Sequence, residues 1–97
     1  MTSEREIEKA LVTAVKQKGG ICPKFVSPGF AGVPDRLVLM PKGRAAFVEV
    51  KKTGEKPRPL QEYRHKQLKA LGFKVYVLDD IKNIKQILKE VMQNEAP

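Results

Sequence analysis

Apolar residues recur at helical spacing near the start of the chain, where Ile7, Leu11, Ala14 and Val15 fall on one stripe. Ser3 stands before that stripe and Glu6 three residues on, the spacing of a capping box, and Gly19-Gly20 follows its end. This predicts a helix over residues 3–18. A short strand is expected over Lys24–Ser27, then a loop, SPGFAGVP, too rich in Gly and Pro for regular structure. Residues 36–40 and 45–51 are expected to be strands two and three. Between them, Met40-Pro41-Lys42-Gly43 suits a tight turn with Pro at its second position, so the two form an antiparallel hairpin. TGEKPRP, 53–59, is again broken by Gly and Pro. A second helix is predicted from about Leu60 to Leu71, closed by Gly72, with Leu60, Leu68 and Leu71 facing the core. Phe73–Leu78 is the fourth expected strand. Asp79 or Asp80 then caps a third helix with Ile81, Ile84, Ile87, Leu88 and Val91 as its stripe. The order α-β-β-β-α-β-α describes an α/β sandwich, a mixed sheet flanked by helices.

Length bounds this picture to a single domain, 1–97, with one thin core. There is no internal repeat. No apolar run is long enough to cross a bilayer, the charged opening MTSEREIEKA lacks a signal-peptide core, and Cys22 is the lone cysteine. A cytoplasmic protein is therefore the expectation, with no membrane partner and no small-molecule cofactor. Charge sharpens it. Nineteen Lys and Arg oppose eleven Asp and Glu, a formal net charge of +8, and between Lys51 and Lys69 seven basic residues face only two acids. A basic surface of this kind attracts polyanions, of which nucleic acid is the commonest in a cell.

The hairpin carries charges that a burying element should avoid. Side chains alternate along a strand, so Phe47, Glu49 and Lys51 share one face while Ala46, Val48 and Val50 share the other. Counting outward from the turn places Asp35 beside Glu49 and Lys51. Two neighbouring carboxylates repel, and a divalent cation between them removes the penalty. Hard oxygen donors suit Mg²⁺ or Mn²⁺ and leave coordination positions for water and phosphate. A nearby lysine can hold an attacking water or stabilise charge on a phosphate. An E-x-K pair alone is usually a solvated strand face, and an Asp after Pro is usually a turn residue. Their combination across a hairpin, in a basic chain, points to phosphodiester hydrolysis.

Pro34-Asp35 followed by Glu49-Val50-Lys51 resembles the PD-(D/E)xK nuclease superfamily. The longer stretches KFVSPGFAGVPDRLVL and AAFVEVKKTGEKPRPLQEYRHKQLKALGFKVYVLDD resemble a stand-alone VRR-NUC (virus-type replication-repair nuclease) domain, over about Glu4 to Asp80. The resemblance implies a restriction-endonuclease-like core. It implies that Asp35, Glu49 and the Val50 carbonyl hold the catalytic metal and that Lys51 activates water. It implies a further ligand from a first-helix Glu: Glu8 is the first choice, Glu4 the reserve, and Glu6 the third candidate. Gln61 would bond the scissile phosphate or brace Lys51. Lys24, Arg36, Lys52, Lys56, Arg58, Arg64 and His65 are the expected DNA contacts, His65 touching phosphate or solvent. Phe30 would wedge into branched DNA or pack down, and Tyr63 would stack on bases. The implied protein is a metal-dependent endonuclease, a homodimer acting on four-way junctions. The alternatives are a non-catalytic DNA-binding module, a structural protein of a mobile element, and a less selective nickase or flap endonuclease.

Overall fold

The computed structural model describes residues 2–93. Helix α1 (Glu4–Gln17) begins at Ser3, whose hydroxyl accepts from the Glu6 N–H while the Glu6 carboxylate accepts from the Ser3 N–H. Both halves of the capping box are thus formed. Ile7, Leu11 and Val15 are fully buried along the inner stripe. The helix stops at Gly19, with φ at +86°, and the chain turns directly onto the sheet. Gly20 makes that turn possible, because a Cβ there would lie 2.4 Å from the Leu39 carbonyl oxygen and 2.7 Å from the Met40 sulfur. Gly20→Ala is therefore expected to destabilise the fold by about 1–3 kcal/mol, read as a shift in the urea midpoint.

Three strands form the sheet in the order β1 (Arg36–Met40), β2 (Arg44–Val50), β3 (Val75–Leu78). β1 and β2 are antiparallel, with Arg36 opposite Val48 and Met40 opposite Arg44. β2 and β3 are parallel, with Phe47 opposite Val75 and Val50 opposite Leu78. A parallel neighbour needs a long crossover, and helix α2 (Pro59–Ala70) supplies it. A short 3₁₀ turn at Ile81–Asn83, capped by Asp80, leads into helix α3 (Ile84–Met92). Helices α1 and α3 cover one sheet face, burying Val38, Met40, Ala46, Val48, Val50 and Leu78 against Ile7, Leu11, Ile84, Ile87, Leu88 and Val91. α2 lies on the other face. No helix among the described residues is long and apolar enough to cross a membrane.

Two expectations are corrected. The first strand does not form over Lys24–Ser27. Instead residues 21–25 run along the free edge of β1 as two isolated antiparallel bridges in one register, Ile21 with Leu39 and Lys24 with Arg36. Pro23 sits between them and has no N–H to give; only its carbonyl serves, accepting from Leu37. The observed order is accordingly α-β-β-α-β-α. Nor does α2 dock through the expected leucines: only Leu68 is half-buried. Leu60 and Leu71 are exposed, at 46% and 74%, whereas the helix buries Gln61 and His65. A helix that buries polar groups needs a polar partner beneath it, and that partner is Glu49.

Candidate active site

The hairpin register carries Asp35, the residue before β1, to the end of β2. There its Oδ2 accepts the Val50 N–H at 2.9 Å. This bond fixes the Asp35 carboxylate and brings the Val50 peptide unit into the site. Glu49 points to the α2 side of the sheet and is only 1% exposed. Its Oε2 accepts from the Gln61 amide at 2.9 Å and lies 3.9 Å from the Lys51 ammonium. Its Oε1 faces His65 Nε2 at 3.5 Å, and both atoms are buried without a hydrogen-bond partner.

Such a site disfavours charge. Burial is the largest cause raising the Glu49 pKa, followed by the Asp35 charge and a hydrogen bond with the Asp35 side chain; Lys51 opposes them, and Glu49 is pushed up to about 8. Burial likewise pushes His65 down, helped by Lys69, so the imidazole beside Glu49 is neutral. Glu4 is raised by partial burial and then by Asp35, with Lys51 opposing.

The donor set fits a hard divalent cation. It consists of two facing carboxylates, one with a buried oxygen that no donor satisfies, and an ammonium close by. Among the described residues no group of three or more His, Cys, Asp and Glu stands ready as a metal cluster, so the core of the site is the Asp35–Glu49 pair. The proton on Glu49 would compete with an ion there. Native Glu49 keeps its proton up to about 8, whereas an unperturbed carboxyl loses it near 4.5. The native state thus binds more protons between these values, and metal-free stability from this group falls as pH rises through that window. The expected result is a Mg²⁺-induced rise in melting temperature that is small at about pH 5.5 and larger at about pH 8.5, with the pH difference much reduced in Glu49→Gln.

The remaining residues divide by place. Glu8 is held by Arg36, whose Nε donates to Glu8 Oε2 at 2.8 Å and whose Nη1 donates to the Cys22 carbonyl. Glu4, one turn earlier, is the first-helix acid whose charge is felt by both Asp35 and Glu49. Glu6 is engaged in its cap. Gln61 neither reaches outward nor braces Lys51: its amide donates to Glu49 and its Oε1 accepts the Arg58 N–H at 2.8 Å. His65 is 6% exposed and lies under Glu49, so it does not offer itself to a DNA backbone. Gln61 therefore braces Glu49 from below, and His65, four residues on along the same helix face, packs beneath Oε1 without bonding it. Periodicity could not single them out, because it looks for apolar stripes. Replacing Gln61 with Leu should raise the Mg²⁺ concentration needed for half-maximal cleavage about 10–100-fold, measured by metal titration at fixed DNA.

Lys24, Lys52, Lys56 and Arg58 are exposed around the site. Arg64 is pinned: its Nε donates to the Ala31 carbonyl, its Nη1 to Gln67, and its guanidinium lies 3.8 Å from the centre of the Phe30 ring. That stack ties the SPGFAGVP loop to α2. Gly32 sits at the contact with φ at +90°, where a Cβ would approach Leu60 within 2.8 Å. Phe30 still exposes 39% of its surface, so it packs and remains accessible.

No family model matches the chain. A curated relative does: the "Putative nuclease p44" of Acyrthosiphon pisum secondary endosymbiont phage 1 is 58% identical over 76 residues, spanning 78% of this chain and 82% of the relative. A solved structure described as a "VRR_NUC domain" superposes with a TM-score of 0.84 at 30% identity, covering 92% of this chain and 97% of that one. A second, described as a "VRR_NUC domain protein", shares the fold with a TM-score of 0.76 at 20% identity, over 94% and 88% of the two chains. The resemblance read in the hairpin is thereby carried across the whole core, and the chain belongs to the VRR-NUC nuclease family.

Proposed function

We propose that the protein is a Mg²⁺- or Mn²⁺-dependent endonuclease that hydrolyses phosphodiester bonds in branched DNA, four-way junctions foremost, as a homodimer. One observation carries the reading: a buried glutamate faces a second carboxylate, one of its oxygens has no hydrogen-bond donor, and an ammonium stands 3.9 Å away. A structural ion pair would close the Lys51–Oε2 distance, and a structural carboxyl would find a donor for Oε1. This constellation leaves both open.

Asp35 and Glu49 would hold the ion, with the Val50 peptide unit beside them. The bound ion supplies Lewis-acid polarisation of a phosphate oxygen and neutralises charge on the departing oxygen. Lys51 aims a water in line with the scissile P–O bond and stabilises the hydroxide character it gains. The water oxygen bonds to phosphorus, the bond to the 3′ oxygen breaks, and 5′-phosphate and 3′-hydroxyl ends remain. The Gln61 hydrogen bond keeps the Glu49 carboxylate from swinging. Glu4 would supply a further ligand once DNA is bound, in preference to Glu8; the Arg36–Glu8 bond and the influence of the Asp35 charge on Glu4 support this order.

A net charge of +8 supports a polyanionic substrate gripped mostly through its backbone. A two-fold dimer would present two sites to two matched strands. α3 is engaged in the core through Ile84, Ile87, Leu88 and Val91 and residues 21–25 cover the β1 edge, so the outer edge of β3 is the better interface candidate. The test compares four-way junction, flap and linear duplex with Mg²⁺, Mn²⁺ or EDTA, while sedimentation reports the assembly. Metal-dependent paired cuts in the junction, lost in Lys51→Met, support the proposal. Binding without cutting in any metal would make the protein a DNA-binding module, and equal cutting of all substrates would make it an unselective endonuclease.

A further inference from the structure

A second feature of the surface takes no part in the chemistry above. Arg5, Glu8, Lys9, Lys16, Lys24 and Arg36 line a groove of about 720 Å³ along one side of α1. Five cationic side chains thus meet a single acid, and that acid is bound to Arg36. Arg5, Lys9 and Lys16 lie exposed on the helix. Arg36 is held from two directions, by Glu8 and by the Cys22 carbonyl, so its remaining N–H groups are fixed in orientation.

The groove adjoins the reaction centre through the chain, although Asp35, Glu49 and Lys51 do not line it. Arg36 follows Asp35 in the chain, and Lys24 is bridged to Arg36. Glu4, which couples to Asp35, lies one helical turn from Glu8, about 6 Å along the axis. From Arg5 to Lys16 the helix rises about 16 Å. That matches the rise of about five nucleotides of one strand in duplex DNA. Isolated surface lysines have no such alignment; these share one concave track leading away from the carboxylates.

We propose that this groove is a binding track for the phosphate backbone of a duplex arm leaving the cleavage site, engaging about five nucleotides of one strand without reading sequence. The inference rests on the nuclease reading for the identity of the polyanion. It adds a second contact region, on α1, to the basic residues that follow β2.

The test is fluorescence anisotropy with a four-way junction and a linear duplex, Ca²⁺ replacing Mg²⁺, over a salt series. Lys9→Ala/Lys16→Ala should lower the slope of log affinity against log salt by about 2 and weaken binding at about 0.15 M salt by roughly tenfold or more. Both side chains are exposed, and circular dichroism checks that the fold is kept. Lys85→Ala/Lys89→Ala, an equal charge loss on exposed positions of α3, should leave the slope close to wild type. A wild-type slope in the α1 variant, equal losses in both variants, or no DNA binding by the wild type would overturn the track. If the wild type binds DNA with the expected slope yet cuts nothing in Mg²⁺ or Mn²⁺, the nuclease reading fails while the track stands.

Discussion

Replacing Glu49 with Gln should abolish DNA cleavage and, at the same time, stabilise the metal-free fold. The two effects have one origin. Glu49 is 1% exposed and its carboxyl is pushed up to about 8, chiefly by burial and then by Asp35. Burying a carboxylate there is costly, so above that pH the metal-free protein is under electrostatic stress. A glutamine has the same shape. Its carbonyl can still accept from Gln61, and its uncharged amide would take the place of Oε1 facing His65 Nε2. The variant should therefore melt several degrees higher than wild type at about pH 8.5 in EDTA, since for a domain of this size each 1 kcal/mol is worth roughly 4–8 °C. Losing an anionic ligand should reduce cleavage at least about 10³-fold. Scanning calorimetry and single-turnover assays read the two halves separately. A variant both less stable and equally inactive would mean that Glu49 is an ordinary structural acid.

The second large effect belongs to Lys51. Its ammonium is 3.9 Å from Glu49 Oε2, too far for a tight ion pair, and its side chain is only 12% exposed. Lys51→Met keeps the length and the apolar stem while removing the charge. Cleavage should fall about 10²–10⁴-fold, the range for loss of a positioned proton-handling or charge-stabilising group. Junction affinity in Ca²⁺ should change by less than about threefold, because one sheltered charge adds little to a diffuse backbone grip. Lys51 is also the group that holds the Glu49 pKa down. Without it the midpoint for metal-induced stabilisation should move to higher pH. Proportional losses of binding and cleavage would identify Lys51 as a DNA contact instead.

The centre of this site was legible because the hairpin is. The Pro41–Gly43 turn sets the register, the register pairs Arg36 with Val48, and Asp35 then falls beside the Glu49–Val50 segment. The capping box at Ser3 and Glu6, the stripe of α1 and that of α3 from Ile84 onward were legible for the same reason: one local rule and the tertiary fold agree, whereas Ile81, expected in the α3 stripe, lies exposed in the preceding 3₁₀ turn. The strand expected at Lys24–Ser27 was misplaced because edge pairing depends on which carbonyls face β1, and Pro23 interrupts the donors. α2 was misread because its buried face is polar. Leu60 and Leu71 drew attention as apolar residues at helical spacing, yet the helix docks through Gln61 and His65 onto a buried carboxyl, Glu49, that lies on another element 12 positions before Gln61. Glu8 and Glu4 were not separable by helical phase alone, since they lie one turn apart on the same side. Only the Arg36 partner distinguishes them.

The most direct measurement is a crystal structure of the protein soaked in Mn²⁺, with an anomalous difference map. The account predicts a single strong peak between Asp35 and Glu49, about 2.0–2.2 Å from an oxygen of each, with the Lys51 ammonium turned toward the ion's open side. A map empty at that position at high Mn²⁺, with Lys51 closed onto Glu49 in a tight pair, would contradict it.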